Sequence, residues 1–171
     1  PGPAPLSISL DETPPTCFGD VDGSITADIF GGTGPYFFSW TTGTQGIGED
    51  LITGLGSQVY SVTVTDYNGC TDLASTTLQT DSLSVSVVNV QNESCTNGGN
   101  DGLISVLATG GTLLPGSSYT YDWGPNGTGP NLNNLNAGFY SVTVTDDNNC
   151  TAILTQEVTS PVSPVIDNFM V

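Results

Sequence analysis

Two kinds of residue in this chain could do chemistry: four cysteines and a set of oxygen-bearing turns. Cys17 and Cys70 are 53 positions apart, and Cys95 and Cys150 are 55 apart. An even count at a repeated spacing points to disulfides and an oxidising, extracytoplasmic setting. No CxxC pair is present, and without histidine a zinc site would need all four thiolates at one point. The oxygen-bearing turns are Asp20-Val21-Asp22-Gly23 and Asp66-Tyr67-Asn68-Gly69. Their counterparts later in the chain are Asn97, Asn100-Asp101-Gly102 and Asp146-x-Asn148. Asp at alternate turn positions beside Asn and Gly is one way to ligate Ca2+, which takes six to eight oxygens. The same residues also build Asx-turns for purely backbone reasons, and neither stretch has EF-hand spacing. Asp20, Asp22, Asp66, Asn68, Asp101, Asp146 and Asn148 are therefore candidate calcium ligands, with turn-capping as the competing account.

Catalysis is hard to build from this inventory. With no His, Lys or Arg, the acids and bases are carboxylates, tyrosines and thiols. A two-carboxylate glycosidase would need one pair in a cleft, whereas these aspartates recur in turns. The chain is expected not to be an enzyme. Gly31-Gly32-Thr33-Gly34-Pro35 is a turn; a phosphate loop needs a following helix and a lysine.

The elements that must position these residues come as one module written twice. SVTVTD occupies 61–66 and again 141–146, inside a longer matching frame. Cys17 corresponds to Cys95, Asp22-Gly23 to Asp101-Gly102 and Gly31-Gly32 to Gly110-Gly111. Tyr36–Trp40 corresponds to Tyr119–Trp123, Gly54-Leu55 to Asn134-Leu135, Tyr60 to Tyr140, and Cys70 to Cys150. Each frame has period two. Ile25, Ala27 and Ile29 alternate along one segment, and Tyr60, Val62 and Val64 along another, with Gly, Pro, Asn and Asp between the runs. Residues 78–92 alternate too, and predict a strand running straight from one module into the next. No window carries a helical apolar stripe. The expectation is an all-β chain of two tandem Ig-like antiparallel β-sandwich modules, 1–80 and 81–160. Residues 161–171 form a tail, the first strand of a further module or a donor strand for a neighbour. Trp40 and Trp123 are expected between the sheets. Tyr60 and Tyr140 begin the penultimate strand, where a tyrosine-corner hydroxyl bonds backbone. The spacing from Trp40 to Tyr60 leaves open whether one strand or two lie between them.

Composition narrows the partners. The 171 residues hold no Lys, Arg or His, and 17 Asp plus Glu give a net charge of −17. Average usage would place about twenty Lys and Arg in a chain this long. Nothing can neutralise phosphate, so nucleic acid is not an expected partner. No side-chain ion pair can form, and trypsin-like proteases have no cleavage site. No run of 18 apolar residues exists to span a membrane. The absence of an initiator Met and of a signal peptide suggests a processed chain or an excised fragment.

Cysteine pairing stays open at this level. Pairs Cys17–Cys70 and Cys95–Cys150 would close loops of about fifty residues and contribute about 3–4 kcal/mol each. In an Ig-type strand order, however, the loop before the second strand and the last hairpin lie at opposite ends of a sandwich. Tandem modules stacked end to end in that order would instead bring Cys17 near Cys150, as a staple between modules. Free thiols are the third alternative.

The frame C-x4-DGSI…GG-x-x-PY-x3-W…GL…YSVTVTD-x-NGC resembles the SprB-type repeat of large Bacteroidetes surface adhesins. It is carried here by Cys17, Asp22–Ile25, Gly31-Gly32, Pro35-Tyr36, Trp40, Leu55, Tyr60–Asp66 and Asn68–Cys70. The second copy departs with Leu103 for Ser24, a longer loop before Tyr119, and Asn149 for Gly69. The resemblance implies an extracellular, cell-surface β-sandwich repeated in a filament or adhesin linked to gliding motility. Its expected partners are neighbouring copies in the array, and glycans or other surfaces. Asp81-Ser82-Leu83 resembles the Bacteroidetes O-glycosylation motif, which makes Ser82 a candidate attachment site.

Overall fold

The computed structural model describes residues 4–95 and 99–161. The chain divides into two compact units, Pro1–Ser82 and Leu83–Val171. The first unit holds seven strands: β1 (Ser7–Thr13), β2 (Gly23–Phe30), β3 (Phe37–Trp40), β4 (Gln45–Ile47), β5 (Leu51–Leu55), β6 (Val59–Thr65) and β7 (Thr71–Thr77). They form two antiparallel sheets, ordered β1-β2-β5 and β4-β3-β6-β7. The second unit holds β8 (Ser84–Gln91), β9 (Gly102–Thr109), β10 (Thr120–Asp122), β11 (Asn131–Leu135), β12 (Gly138–Thr145) and β13 (Thr151–Val158). Its sheets are ordered β11-β9-β8 and β10-β12-β13. Both units are Ig-like antiparallel sandwiches.

The period-two residues supply the facing layers. In β2, Gly23, Ile25 and Ala27 are buried while Asp28 is exposed; in β6, Tyr60, Val62 and Val64 are buried. These pack with Phe38, Trp40, Ile52, Leu55 and Leu78 into the first core. The second core repeats the arrangement with Ile104, Val106, Ala108, Trp123, Leu132, Leu135, Val142, Val144 and Val158. Each fully buried aliphatic side chain contributes about 1.5–3 kcal/mol. With no cation available to pair the carboxylates, these two cores and their ladders carry the stability.

One sequence expectation needs correction, and one point left open is answered. The alternating run 78–92 is not one strand. Leu78 is buried in the first core and its N–H bonds Gln58 O at 3.0 Å, while the strand of the second unit begins only at Ser84. Hydrophobic alternation cannot show that two adjacent apolar residues serve different cores. The segment between Trp40 and Tyr60 also resolves differently in the two units. The first places β4 and β5 there, and the second a 3-10 turn (Gly124–Asn126) and β11. Of the expected tail, residues 162–171 lie outside the described residues.

Two departures between the repeats have a backbone cause. Gly54 and Asn134 take φ of 72° and 58°, and Gly69 and Asn149 take 82° and 65°. Both positions are left-handed, a conformation that Asn tolerates better than other residues carrying a Cβ. Gly-to-Asn changes there keep the turn.

Candidate functional site

The singled-out residues fall into two clusters at opposite ends of each sandwich. In the first unit, Gly23 opens β2 against Leu78 and Pro15, and a Cβ there would lie 3.1 Å from an atom of each. Leu78 bonds Gln58, just before β6, so this end holds Cys17, Asp20 and Asp22. At the other end of β6, Tyr67 N donates to Thr33 O at 2.8 Å, and the hairpin carries Asp66, Asn68 and Cys70. Seven residues of extended strand separate the two ends, about 20 Å at the usual rise. Asp20 and Asp22 therefore do not share a site with Asp66 and Asn68. The second unit is built alike. Gly102 lies against Val158, and Glu93 N donates to Thr159 O at 3.1 Å on the Cys95 side; Asp146 and Cys150 lie beyond β12.

At the first cluster, Asp22 pins the loop. Its Oδ1 accepts from Thr16 N at 2.9 Å and its Oδ2 from Thr16 Oγ1. Asp101 does the same for Ser94, with Oδ1 accepting from Ser94 N at 2.7 Å and Oδ2 from Ser94 Oγ. The hydroxyl bond, then the backbone bond, holds each carboxyl below its ordinary value. Asp20 is exposed, and its N–H donates to Cys17 O at 3.0 Å.

At the second cluster, Asp66 is buried and accepts three backbone N–H groups: Asn68 at 2.9 Å and Cys70 at 2.8 Å on Oδ1, and Thr33 at 3.0 Å on Oδ2. Burial pushes its pKa up, but the backbone donors together outweigh that and hold it below the usual value. Asp146 repeats the set with Asn148 at 3.0 Å, Cys150 at 2.9 Å and Thr112 at 2.8 Å. A Cβ on Gly111 would collide with Asp146 Oδ2, so the paired glycines before Thr33 and Thr112 let the loop approach the carboxylate. In both clusters the carboxylate oxygens face N–H and O–H donors, the arrangement of a turn cap. Among the described residues no three His, Cys, Asp or Glu side chains gather in a group suited to a metal ion.

The cysteines do not form the pairs Cys17–Cys70 and Cys95–Cys150. Cys17 and Cys150 are disulfide-bonded, whereas Cys70 and Cys95 are free, exposed thiols. The reason is distance. Within each unit the two cysteines sit at opposite ends, about 20 Å apart by strand rise, against the 4.4–6.8 Å between Cα atoms that a disulfide requires.

The aromatic residues are structural. Trp40 and Trp123 are buried, with Nε1 donating to Glu49 O at 2.7 Å and to Gly129 O at 2.9 Å. The Tyr60 hydroxyl donates to Gly56 O at 3.1 Å, and that of Tyr140 to Asn136 O at 2.9 Å. Among the described residues, a cleft lies at a repeat-equivalent place in each unit. The first, of about 360 Å³, is lined by Tyr36, Phe38, Ile47, Asp28 and Asp50 among others. The second, of about 670 Å³, is lined by Tyr119, Tyr121 and Pro130. Ser82 is exposed where the units meet in sequence.

Thr16, Ser94, Thr33, Thr112 and Asp147 escaped the sequence reading. Asp147 Oδ2 accepts from Leu114 N at 2.7 Å and from the Ser117 hydroxyl, and these two bonds, the hydroxyl first, lower its pKa. Two signals were present: a hydroxyl residue directly before the first cysteine of each repeat, and Gly-Gly-Thr at 31–33 and 110–112.

Each sandwich carries one copy of the repeated frame. The SprB repeat family model matches twice, over residues 9–45 and 87–128, one stretch in each unit, consistent with two tandem SprB-type repeats. Repeats of this type occur in cell-surface proteins of Bacteroidetes. Among solved structures, the chain is similar to a C-terminal 282-residue fragment of intimin, crystallised with the intimin-binding domain of the translocated intimin receptor. The identity is 15% and the TM-score 0.41, over 91% of this chain and 64% of that one. No curated protein matches. No helix among the described residues is long and apolar enough to cross a membrane.

Proposed function

We propose that the chain is a stalk segment of an extracellular filament or surface adhesin, acting as a stiff, protease-resistant spacer. The observation that carries this reading is the shortness of the junction. Leu78 is buried in the first core, and Thr80 Oγ1 donates to Pro15 O at 2.7 Å; Leu83 already packs on the second core. Only Asp81 and Ser82 lie between those anchors. A two-residue connection restricts relative motion far more than a flexible linker would. The absence of Lys and Arg removes every trypsin-type cleavage site. Every singled-out aspartate except the exposed Asp20, and every singled-out tryptophan and tyrosine, is engaged in holding backbone, as suits a mechanical module. Ser82, exposed in the junction, is the proposed glycan attachment point, read by intact mass of the natively expressed protein. The test of stiffness is a distance distribution between spin labels placed in the two units. Inserting Gly-Ser repeats between Ser82 and Leu83 is expected to broaden a narrow distribution. An equally broad distribution before insertion sinks the reading.

A second reading, neutral-glycan binding, has one specific support: the repeat-equivalent clefts beside Tyr36 and Tyr119. Aromatic faces of this kind stack sugar rings. Titration with neutral oligosaccharides, and its loss in Tyr36→Ala and Tyr119→Ala, checks it. The calcium form of a ligand-binding role draws no such support, because Asp22, Asp66, Asp101 and Asp146 already hold N–H donors.

A further inference from the structure

The four cysteines are of two types, and the structure treats one of each type differently. Cys17 and Cys95 follow a hydroxyl residue pinned by an aspartate, Thr16 by Asp22 and Ser94 by Asp101. Cys70 and Cys150 close a hairpin in which the cysteine N–H is held by Asp66 at 2.8 Å and by Asp146 at 2.9 Å. One loop-type cysteine, Cys17, and one hairpin-type cysteine, Cys150, are bonded. One of each type, Cys95 and Cys70, remains free and exposed. The aspartate pins that fix the bonded cysteines therefore also fix the free ones, with donor–acceptor distances agreeing within 0.2 Å.

We infer that Cys70 and Cys95 are inter-repeat disulfide positions, Cys95 pairing with the hairpin-type Cys70 of a second copy of this chain. The inference rests on the stalk reading and adds a covalent join to it. Neither free thiol can bond inside its own unit, where its counterpart is a sandwich length away and already oxidised. A second copy offers the complementary type at an exposed site. With a net charge of −17 and no cation, non-covalent association of copies has no ion pair to hold it; a disulfide needs none.

The chemistry requires an oxidant, and a small-molecule disulfide such as oxidised glutathione supplies it. The Cys70 thiolate attacks one sulfur of oxidised glutathione, forming a mixed disulfide and expelling one glutathione thiolate. The Cys95 thiolate of the second copy then attacks the Cys70 sulfur and expels the other glutathione. Two protein thiols become one disulfide, one oxidised glutathione becomes two reduced ones, and the two thiol protons end on those glutathiones.

The test is incubation of the folded chain with oxidised glutathione, followed by non-reducing electrophoresis and peptide mapping. The expected result is a ladder of multimers that collapses with reductant, and a cross-linked Cys70–Cys95 peptide. Cys70→Ser and Cys95→Ser each remove one type, and each alone is expected to lose the ladder. Mixing the two variants restores one disulfide per pair and gives dimers only. Circular dichroism confirms that both variants fold. A glutathionylated monomer with no multimers overturns the inference. So does a Cys70–Cys95 bond within one chain, or dimers from either single variant as abundant as from the mixture. The spin-label experiment is run on protein alkylated at Cys70 and Cys95, so failure of the join leaves the stalk reading separately testable.

Discussion

The two repeats differ most between the tryptophan strand and the tyrosine strand, and least at their two ends. After Trp40 the first unit inserts β4 and turns back at Glu49; after Trp123 the second takes a 3-10 turn and returns at Gly129. Both paths nevertheless deliver a backbone carbonyl to the indole Nε1. The end clusters keep their residues as well as their bonds: Asp66 and Asp146 each cap the same three positions, and Asp22 and Asp101 each hold a hydroxyl residue. The contrast separates what the fold needs as a bond from what it needs as a residue. An indole N–H can donate to any nearby carbonyl, so the loop that provides one is free to vary. A carboxylate that caps three N–H groups from two separate loops leaves no such freedom.

The largest break in this comparison comes from the indoles. Trp40→Ala and Trp123→Ala each empty the centre of one core, at about 3–5 kcal/mol. Each is expected to lower the melting transition of its own unit in calorimetry, leaving the other unit's transition in place if the units fold independently. Next come the end carboxylates. Asp66→Ala and Asp146→Ala each orphan three backbone donors, and the expected loss exceeds that of any single tyrosine hydroxyl. Equal loss in both variants would confirm that the ends are equivalent despite Tyr67 in one hairpin and Asp147 in the other.

Acid sharpens the same point. Asp22, Asp66, Asp101 and Asp147 are held below the ordinary 3.8 in the folded chain. The unfolded chain therefore binds more protons in that range, and stability falls as pH falls. The contribution is complete above 3.8 and is lost as pH drops through the depressed folded values. With no His, Lys or Arg to titrate, melting temperature is expected to be flat from about pH 5 to pH 8 and to drop below pH 4. In Asp66→Asn the acid limb should be shallower, because one depressed carboxylate is gone.

Much of this architecture was legible because repetition supplied a second reading of every element. The alternation of Ile25 and Ala27, or of Val62 and Val64, named strand and inner face together. Strand β4 was not legible: three residues centred on Gly46 carry no pattern. Nor were the end clusters, since Asp66 finds Thr33 across 33 positions, and no local rule connects SVTVTD to Gly-Gly-Thr. The choice between calcium ligation and turn-capping was open in the sequence for the same reason, because Asp and Asn beside Gly serve a cation or an Asx-turn equally well. The repeated cysteine spacing made the within-module pairs the simpler reading and the strand order raised Cys17 with Cys150 as the alternative, but nothing in the sequence decided between them.

The smaller effects test how finely the repeats match. Tyr140→Phe removes one neutral hydrogen bond, worth about 1 kcal/mol, and Tyr60→Phe removes two, because the Tyr60 hydroxyl also accepts from Gln58 Nε2 at 2.8 Å. The Tyr60 side chain is more deeply buried, so the larger loss is expected in the first unit. Smaller still are the left-handed turn positions. Gly69→Asn is expected to cost a few tenths of a kcal/mol at most, because Asn149 already occupies the equivalent position at φ 65°. Gly69→Ala should cost about 1 kcal/mol, since alanine has no side-chain polar group to offset the strain. Hydrogen exchange at Asn68 and Cys70, whose amides Asp66 holds, reads the turn directly. If Asn and Ala accelerate exchange equally, the two hairpins are not interchangeable, and the repeat frame ends before the final turn.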